Sequence, residues 1–229
     1  MQTDIKAYSD LIKRYKNFLD DWYNKDQSEA SRFNLFSILK VNWMEALLHT
    51  PFLTELLNPQ GTHSQGDLFY KEFIRTILPE KDHKVFGNID TRYLYIKDEE
   101  AIKNGFVDIY IHHKDKLNPF LIIIENKILA GDGDKQLTKY YEYSKAKIKT
   151  SEKIRLIYLR LQECMPTEIS MDQTQQNELK ENGQLIIISY KKEITNWLKR
   201  CMDLVKAPKI KYSIAQYLLT LETICDEQI

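Results

Sequence analysis

Two carboxylates and a lysine fall in two neighbouring apolar segments of the chain. Asp108 lies in the middle of the segment Phe106 to Ile111, where an unpaired charge would be costly to bury. Glu125 ends the run Leu121 to Ile124, and Lys127 follows two residues later. Carboxylate oxygens are hard ligands for Mg²⁺, which neutralises developing charge and activates a water near neutral pH. The three side chains together suit the hydrolysis of a phosphodiester bond.

Strand alternation decides whether these side chains can meet. Successive side chains of a β-strand point to opposite faces, so Glu125 and Lys127 share one face while Asn126 points to the other. The turn-prone segment Lys114 to Asn118 predicts a hairpin between the two strands, which would place Asp108 beside Glu125. The alternative is that Glu125 and Lys127 lie at a solvated strand end and that Asp108 is half exposed.

An acidic residue two positions before a lysine is a weak motif by itself. The chain contains four instances, at residues 4–6, 82–84, 125–127 and 178–180. Only the third instance ends an apolar run and has a second carboxylate in an apolar strand just upstream. This context, rather than the motif, selects Glu125 and Lys127.

The elements that must position these residues alternate in type along the chain. Apolar residues at three- and four-residue spacing predict helices at residues 4–25, 33–39, 42–57 and 67–78. Runs of β-branched and aromatic residues predict strands at residues 92–96, 105–111, 119–125, 153–160 and 185–189. Further helices are predicted at residues 134–148, 191–204 and 210–225. The polar stretch 168–183 is predicted to be a surface loop or a short helix.

This order predicts an α/β fold, with a central mixed β-sheet flanked by α-helices and an N-terminal helical lobe. We expect residues 1–229 to form a single domain, with the helical lobe at residues 1–80 and the α/β core at residues 81–229. Apolar residues make up 43% of the chain and charged residues 29%, which is typical of a globular protein with a full core.

The overall charge gives no argument for a polyanionic partner, because 33 basic residues balance 33 acidic ones. Basic residues nevertheless cluster between positions 135 and 160, and a second excess runs from Lys191 to Lys211. Such clusters can track a phosphate backbone through Coulomb attraction and counterion release. A solvated, lysine-rich helix face explains either run equally well. The first cluster consists of Lys135, Lys139, Lys145, Lys147, Lys149, Lys153, Arg155 and Arg160.

The cysteines and the hydropathy pattern bear on the compartment. Cys164, Cys201 and Cys225 are odd in number and widely spaced, so the sequence predicts neither a disulfide framework nor a zinc site and fits a reducing cytoplasm. No apolar run approaches the roughly 20 residues that a membrane-spanning helix needs. The sequence therefore indicates neither export nor membrane insertion.

The segment from Gly105 to Tyr143 carries the core of a resemblance to a known family. This segment resembles the core of the PD-(D/E)XK nuclease superfamily, and its sequence is GFVDIYIHHKDKLNPFLIIIENKILAGDGDKQLTKYYEY. It is similar to a bacterial subgroup in which an I-E-N-K strand leads through a short acidic turn into a helix carrying Q-L-x-x-Y. The similarity extends upstream to Glu45 and LLNPQGTHSQGDLFYKEFI, and downstream to ISYKKEITNWL and AQYLLTLETI. It covers about residues 42–224, most of the chain.

The resemblance implies a nuclease with a restriction-endonuclease-like core that cuts DNA with Mg²⁺ or Mn²⁺. Asp108 and Glu125 would be metal ligands, and the main-chain carbonyl of Asn126 would complete the coordination sphere. Lys127 would orient the attacking water or stabilise the transition state, where fixed positive charge matters most.

Three further residues are implied by the resemblance. Gln136 and Tyr140 lie four residues apart on one predicted helix face and would hold a phosphate or a water at the metal. Plain helix packing under the sheet is the alternative. Glu45 is similar to an acidic helix residue that supports such a site, and a buried or capping carboxylate is the alternative.

Other candidates have weaker support. His63 matches a family position, but we predict that it is a loop histidine that caps the next helix. His112 and His113 are expected at the surface near the hairpin end. Asp132 and Asp134 resemble the start of a calcium loop whose later ligand positions are missing, and Asp134 is predicted to be a helix N-cap.

Two other classes of function stay open from the sequence. The first is a non-catalytic nucleic-acid- or protein-binding module on the same fold, although a binder of polyanions gains nothing from two clustered carboxylates. The second is an unrelated α/β interaction protein, in which Asp108 and Glu125 would affect stability alone. The expected partner is nucleic acid, and DNA is the expected kind. No membrane partner is expected. A homodimer would suit double-strand cleavage.

Overall fold

The computed structural model describes residues 2–30, 33–103 and 105–227 of the chain. Within these residues the strands are β1 (Leu94–Ile102), β2 (Gly105–His113), β3 (Phe120–Lys127), β4 (Ile154–Arg160) and β5 (Leu185–Ser189). The helices of the same described residues are α1 (Gln2–Glu29), α2 (Leu35–Ile38), α3 (Thr50–Leu57), α4 (Leu68–Ile77), α5 (His83–Phe86), α6 (Gln136–Lys147), α7 (Gln173–Glu181), α8 (Thr195–Leu204) and α9 (Pro208–Asp226).

The strands form one mixed sheet in the order β1-β2-β3-β4-β5. β2 pairs antiparallel with β1 and with β3, whereas β3, β4 and β5 run parallel. Ile124 in β3 faces Ile109 of β2 on one side and Ile157 of β4 on the other. β3 is therefore the middle strand of the sheet, and the predicted α/β fold with a mixed central sheet is confirmed.

β3 is buried along its whole length, including its polar end at Glu125, Asn126 and Lys127. Its isoleucine run suits this position, because β-branched side chains pack well on a pleated surface. Strands of parallel sheets are covered on both faces and therefore read as continuous apolar runs. The polar end is where the strand leaves its apolar surroundings.

Helices cover both faces of β3. On one face, Ile122 and Ile124 share a core with residues of α3, α4, α8 and α9. On the other face, Leu121 and Ile123 share a core with residues of α6 and α7. Because side chains alternate, Asn126 follows the first set and Glu125 and Lys127 follow the second.

Most of the predicted elements are confirmed, with shifted ends. β1 continues past its predicted end to Ile102, and its charged residues Lys97 to Glu100 are tolerated because β1 is an edge strand. The predicted helices at 42–57 and 191–204 each begin with a π-helical turn, at Glu45–His49 and at Tyr190–Ile194. The stretch 168–183 contains the short helix α7. The helix predicted at 33–39 is reduced to α2.

α1 extends beyond the predicted helix at both of its ends. Its residues 10–21 are all exposed to solvent. In the part of the chain that the structure covers, no helix has both the length and the apolar character needed to cross a membrane.

Candidate active site

The two predicted carboxylates meet at the end of the β2–β3 pairing. The last paired residues are Ile109 and Ile124, and Asp108 and Glu125 come next along the two strands. At this point Asp108 Oδ2 accepts a 2.7 Å hydrogen bond from the main-chain N–H of Asn126. The predicted hairpin is therefore present, and it brings Asp108 to the polar end of β3.

Glu125 carries a buried carboxylate, with 1% of the residue exposed. Lys127 Nζ lies 2.5 Å from Glu125 Oε1. Apart from this ion pair, neither carboxylate oxygen accepts a well-oriented hydrogen bond from the described residues. Burial and the nearby Asp108 charge raise the pKa of Glu125 to about 8, although Lys127 acts to lower it.

Asp108 is half-buried beside Glu125. Burial raises its pKa to about 6, although the Asn126 N–H and the charge of Lys127 act to lower it. Two adjacent carboxyl groups whose pKa values are raised by burial form a set of oxygen ligands that a hard divalent cation would stabilise in the ionised form. The residues present therefore fit Mg²⁺ or Mn²⁺.

A cation at this position would have two carboxylate ligands. Nowhere in residues 2–30, 33–103 and 105–227 do three or more His, Cys, Asp or Glu side chains form a group that could hold a metal ion. Main-chain or water oxygens would have to complete the shell, because Mg²⁺ is octahedral and keeps several waters. The carbonyl of Asn126 is the main-chain oxygen that the sequence suggests for this purpose.

Lys127 is buried beside the two carboxylates, with 7% of the residue exposed. Burial acts to lower its pKa, but the charges of Glu125 and Asp108 outweigh burial and raise it. Lys127 is therefore a fixed positive charge at the end of β3. The alternative that Glu125 and Lys127 lie at a solvated strand end is wrong.

The side chain of Asn126 is held on the opposite face of the sheet, as strand alternation predicts. Its Nδ2 donates a 3.0 Å hydrogen bond to Thr50 Oγ1, and its Oδ1 accepts one of 2.9 Å from Tyr190 Oη. Both partners were missed by the sequence reasoning. Thr50 and Tyr190 lie far from Asn126 in the chain, so no local pattern identifies them.

Glu45 supports the chain immediately after Lys127. It opens the π-helical turn Glu45–His49, and its Oε2 accepts a 2.7 Å hydrogen bond from the main-chain N–H of Ile128. The half-buried carboxylate therefore holds the backbone where β3 ends. Both earlier interpretations, a residue that supports the site and a capping carboxylate, are compatible with this contact.

Gln136 and Tyr140 share one face of α6, as predicted, and are joined by a hydrogen bond. Gln136 Nε2 donates to Tyr140 Oη at 3.0 Å, and Tyr140 Oη donates to the Phe106 carbonyl at 2.6 Å. Burial, followed by the charge of Glu125, raises the pKa of Tyr140. Tyr140 therefore connects α6 to β2, the strand that carries Asp108. It also lies close enough to Glu125 for the charge of that carboxylate to raise its pKa.

The acidic turn between β3 and α6 is pinned by Asp132. Its Oδ1 accepts a 2.6 Å hydrogen bond from Tyr158 Oη, and its Oδ2 accepts one of 2.7 Å from the Thr167 N–H. Partial burial acts to raise the pKa of Asp132, but these hydrogen bonds outweigh burial and lower it. The prediction that Asp134 is an N-cap is wrong, because Lys135 precedes α6 in a left-handed conformation and no side chain caps the helix.

Arg160 is a further residue that the sequence did not assign to the site. It ends β4 directly opposite Lys127, is half-buried, and donates from Nη1 to Tyr158 Oη at 3.0 Å. The signal that could have found it is general, since the carboxyl ends of adjacent parallel strands lie at one sheet edge and ligands bind there. Arg155 of the same basic cluster is 4% exposed and pairs with Asp82 at 2.6 Å, so it is not available to a phosphate backbone.

The histidines stand apart from the carboxylates. His63 is buried. Its Nε2 is hydrogen-bonded to the Asn58 carbonyl, and its Nδ1 accepts from the Gln65 N–H. It therefore stabilises the loop instead of capping α4. The surface position expected for His113 is wrong: it is 1% exposed and stacks on Phe120 at 5.0 Å between ring centroids. His112 is partly buried.

Comparisons with known proteins bear on the family of the chain. A sequence model described as the PD-(D/E)XK nuclease superfamily matches residues 33–218. A search of curated proteins found no match. Among solved structures, a repair endonuclease from Pyrococcus abyssi matches at 19% identity over 42% of this chain, with a TM-score of 0.25. The chain spans 36% of the length of that endonuclease.

Proposed function

The chain belongs to the PD-(D/E)XK nuclease superfamily, and we propose that it is a metal-dependent nuclease that hydrolyses phosphodiester bonds in DNA. The observation that carries this proposal is the convergence of Asp108, Glu125 and Lys127 at one end of β3. These are two hard oxygen donors and a fixed positive charge, the groups that this hydrolysis requires.

We propose that Asp108 and Glu125 hold Mg²⁺ or Mn²⁺, with the carbonyl of Asn126 as a further oxygen. When bound, the ion would neutralise charge on the scissile phosphate and supply an activated water. The raised pKa values of both carboxyl groups and the burial of Glu125 support this assignment. Lys127 and Tyr140 both act to lower the pKa of Glu125, but burial and the charge of Asp108 outweigh them.

The remaining residues would position the substrate and the strand. Lys127 would orient the attacking water or stabilise the negative charge that develops on the phosphate oxygens. Gln136 and Tyr140 would orient a phosphate or a water through the Oη and amide groups that they already bring together. Glu45 would keep the main chain after Lys127 in place through its bond to Ile128.

We propose that the substrate is DNA and that nonspecific binding is modest, because the chain has no net charge. Exposed lysines on α6 and immediately before it, including Lys135, Lys145 and Lys147, would contact phosphates flanking the cut. Counterion release makes such binding fall with salt. A single domain over residues 1–229, a cytoplasmic location and a homodimer that cuts both strands of a duplex complete the proposal.

Cleavage assays with matched variants test the proposal. Plasmid DNA, single-stranded DNA and single-stranded RNA would each be incubated with the full chain in EDTA, Mg²⁺ or Mn²⁺. Glu125→Gln and Lys127→Ala would be compared with Glu178→Gln and Lys180→Ala, because Glu178-Leu179-Lys180 carries the same motif on the exposed face of α7. All variants would first be checked for an unchanged melting temperature.

The expected result is cleavage that depends on the added metal and is lost in the Glu125 and Lys127 variants alone. Cleavage of RNA but not DNA would overturn the substrate and keep the nuclease. No cleavage of any substrate, together with no thermal shift on adding Mn²⁺, would favour the non-catalytic binding module. Equal loss in the Glu178 variant would overturn the assignment of the site.

A further inference from the structure

A cleft lies between α6 and the end of the β1–β2 hairpin. Its volume is about 330 Å³, at the lower end of the range for sites that take small molecules. One wall is a side of α6 that includes Tyr143, and the other wall is formed by Ile102 and Lys103 where β1 ends. The cleft is distinct from the carboxylate site, since neither Asp108 nor Glu125 lines it.

The cleft adjoins the face of α6 that holds Gln136 and Tyr140. Lys139 and Tyr143 line the cleft, and each lies three residues after one member of that pair. Residues three apart are neighbours on the surface of a helix. A DNA strand that contacts Gln136 and Tyr140, as proposed above, would therefore reach the cleft next.

The opposite wall of the cleft leads back to Asp108. Ile102 lines the cleft and pairs with Gly105 of β2, three residues before Asp108. A strand rises about 3.3 Å per residue, so this wall begins roughly 10 Å from the carboxylate site. In B-form DNA this distance is about three base steps of 3.4 Å. One DNA strand can therefore occupy the carboxylate site and the cleft together.

The cleft is positively charged. Lys103, Lys135 and Lys139 line it, and Glu142 is the only acidic residue among the described residues of its lining. The carboxylate of Glu142 is already paired with Lys145 at 2.8 Å. Of the three lysines, Lys139 alone has an acidic partner within the described part of the chain. The cleft therefore favours a ligand that carries negative charge.

Tyr143 gives the cleft an aromatic wall. Its ring packs edge-on against Tyr110, with 6.4 Å between the ring centroids, and Lys147 Nζ lies 5.8 Å from its centroid. Tyr143 is only partly buried, so its ring is accessible from the cleft. Proteins that bind single-stranded nucleic acid combine a positively charged groove with aromatic rings on which bases stack. The cleft has both of these features.

We propose that the cleft holds one unpaired nucleotide of the DNA strand that is cut. Its base lies against Tyr143, and the phosphates on either side of it lie against Lys103 and Lys135. A base inside a duplex is covered by its neighbours on both faces, so it reaches a tyrosine ring only after leaving the stack. The inference rests on the proposed nuclease function and narrows its substrate to DNA with an unpaired nucleotide beside the cut, such as a single strand or a frayed end.

DNA binding by an inactive protein tests the cleft apart from cleavage. The full chain with Glu125→Gln is the background, and fluorescence anisotropy measures its Kd for a labelled single strand and for the same sequence as a blunt duplex. Tyr143→Leu removes the ring but keeps an apolar side chain against Tyr110, whereas Tyr143→Phe keeps the ring. Tyr93→Leu is the matched control, because Tyr93 is a 49% exposed tyrosine just before β1, at the opposite end of that strand. Circular dichroism and the melting temperature verify that each variant is folded.

We expect Tyr143→Leu to raise the Kd for the single strand on the order of ten-fold or more, as the loss of a base–aromatic stack does. Tyr143→Phe and Tyr93→Leu should bind the single strand like the background, and Tyr143→Leu should bind the duplex like the background. An unchanged Kd for the single strand in Tyr143→Leu would overturn the proposal. Equal losses for the single strand and the duplex would show that the ring does not hold an unpaired base.

Salt dependence tests the two lysines. Lys103→Gln/Lys135→Gln removes two charges from the cleft, and Lys81→Gln/Lys84→Gln removes two exposed charges outside it. We expect the slope of log Kd against log salt for the single strand to decrease by about 1.4 in the first variant, at roughly 0.7 for each phosphate contact. The control should keep the slope of the background. The same decrease in both variants, or in neither, would contradict the placement of the phosphates.

Two comparisons separate this proposal from its alternatives. A free deoxynucleoside monophosphate that displaces the single strand at an equal concentration would replace the DNA strand by a free nucleotide as the ligand. Metal-dependent cleavage by the wild-type chain with an unchanged Kd in Tyr143→Leu would remove the cleft and keep the nuclease. Binding that depends on Tyr143 in a chain whose wild type cuts no DNA would keep the cleft and remove the nuclease.

Discussion

Asp108 and Asn126 are joined by a 2.7 Å hydrogen bond from the main-chain N–H of Asn126 to Asp108 Oδ2. This bond lies just beyond the last residue pair of the β2–β3 ladder and replaces a main-chain acceptor with a carboxylate. Asp108 therefore fixes the end of β3 with one oxygen and leaves the other for the proposed cation. Its structural and chemical contributions can be separated by substitution.

Asp108→Asn keeps an acceptor for the Asn126 N–H but removes the charge, whereas Asp108→Ala removes both. We expect both variants to lose cleavage by on the order of 10²–10³-fold or more, as for other groups that stabilise the transition state electrostatically. Asp108→Ala should also lose about 1–3 kcal/mol of unfolding free energy, since it leaves the amide without an acceptor. Urea denaturation in EDTA separates the two effects, and an equally large stability loss in Asp108→Asn would contradict this reading.

Stability of the metal-free protein should fall as the pH rises. The pKa values of Asp108 and Glu125 rise from 3.8 and 4.5 to about 6 and about 8 on folding. The folded state then holds protons that the unfolded state has released, so the contribution to the unfolding free energy is complete below the unfolded values and declines as the pH passes the folded ones. Denaturation in EDTA at several pH values measures this decline.

Asp108→Asn/Glu125→Gln is the control for that pH dependence, because neither replacement titrates. We expect its unfolding free energy to change less than that of wild type between about pH 5 and about pH 9. Mg²⁺ or Mn²⁺ requires the ionised carboxylates, so the thermal shift that it produces in wild type should grow over the same range. If the unfolding free energies of wild type and of the double variant changed with pH in parallel, Asp108 and Glu125 would be excluded as the source of the pH dependence.

Glu45 should act on cleavage through the position of the main chain. Glu45→Ala would leave the Ile128 N–H without its acceptor and should cost about 1–3 kcal/mol of unfolding free energy. Glu45→Gln keeps an acceptor oxygen, so it should retain more stability and more cleavage than Glu45→Ala. Equal cleavage rates in the two variants would show that the charge of Glu45, not its hydrogen bond, is what the site uses.

Tyr190→Phe tests whether the opposite face of β3 supports the site. It removes the hydroxyl that donates to Asn126 Oδ1 and should lower the unfolding free energy by about 1–3 kcal/mol. Tyr70→Phe is a matched control, because it removes a buried hydroxyl that donates to the Phe86 carbonyl at 2.8 Å instead of to Asn126. We expect cleavage at a temperature well below melting to fall in Tyr190→Phe more than in Tyr70→Phe.

Arg160 should contribute to substrate binding. Arg160→Ala would remove a charge at the sheet edge that holds Lys127 and should reduce the salt dependence of DNA binding by about one phosphate contact. Binding would be measured by fluorescence anisotropy at several salt concentrations with the inactive Glu125→Gln variant as background. Arg155→Lys is not a suitable control, since Arg155 is buried with Asp82. An unchanged salt slope would exclude Arg160 from the phosphate path.

The sequence was informative wherever a local pattern determined the structure. The isoleucine run and its polar end predicted β3, and strand alternation predicted the separation of Asn126 from Glu125 and Lys127. The turn between the second and third strands predicted the hairpin that brings Asp108 to β3. Each of these inferences depends on neighbours in the chain.

Other features depended on distant contacts and could not be read in this way. His113 was expected at the surface because it is polar and close to a turn, yet stacking on Phe120 and two main-chain carbonyls compensate its burial. Arg155 was predicted to be part of a basic surface, but it is buried in an ion pair with Asp82, which lies far upstream in the chain. Thr50 and Tyr190 could be connected with Asn126 only through the packing of three separate segments.

The burial of β3 has a consequence for how the protein responds to heat. A central strand that is paired on both sides and covered on both faces separates from its neighbours only when the whole sheet comes apart. The free energy of opening measured by hydrogen exchange at its amides should therefore equal the free energy of global unfolding. Glu125 and Lys127 would keep their positions until that point, so activity on warming should disappear in one cooperative step instead of fading through partly disordered forms.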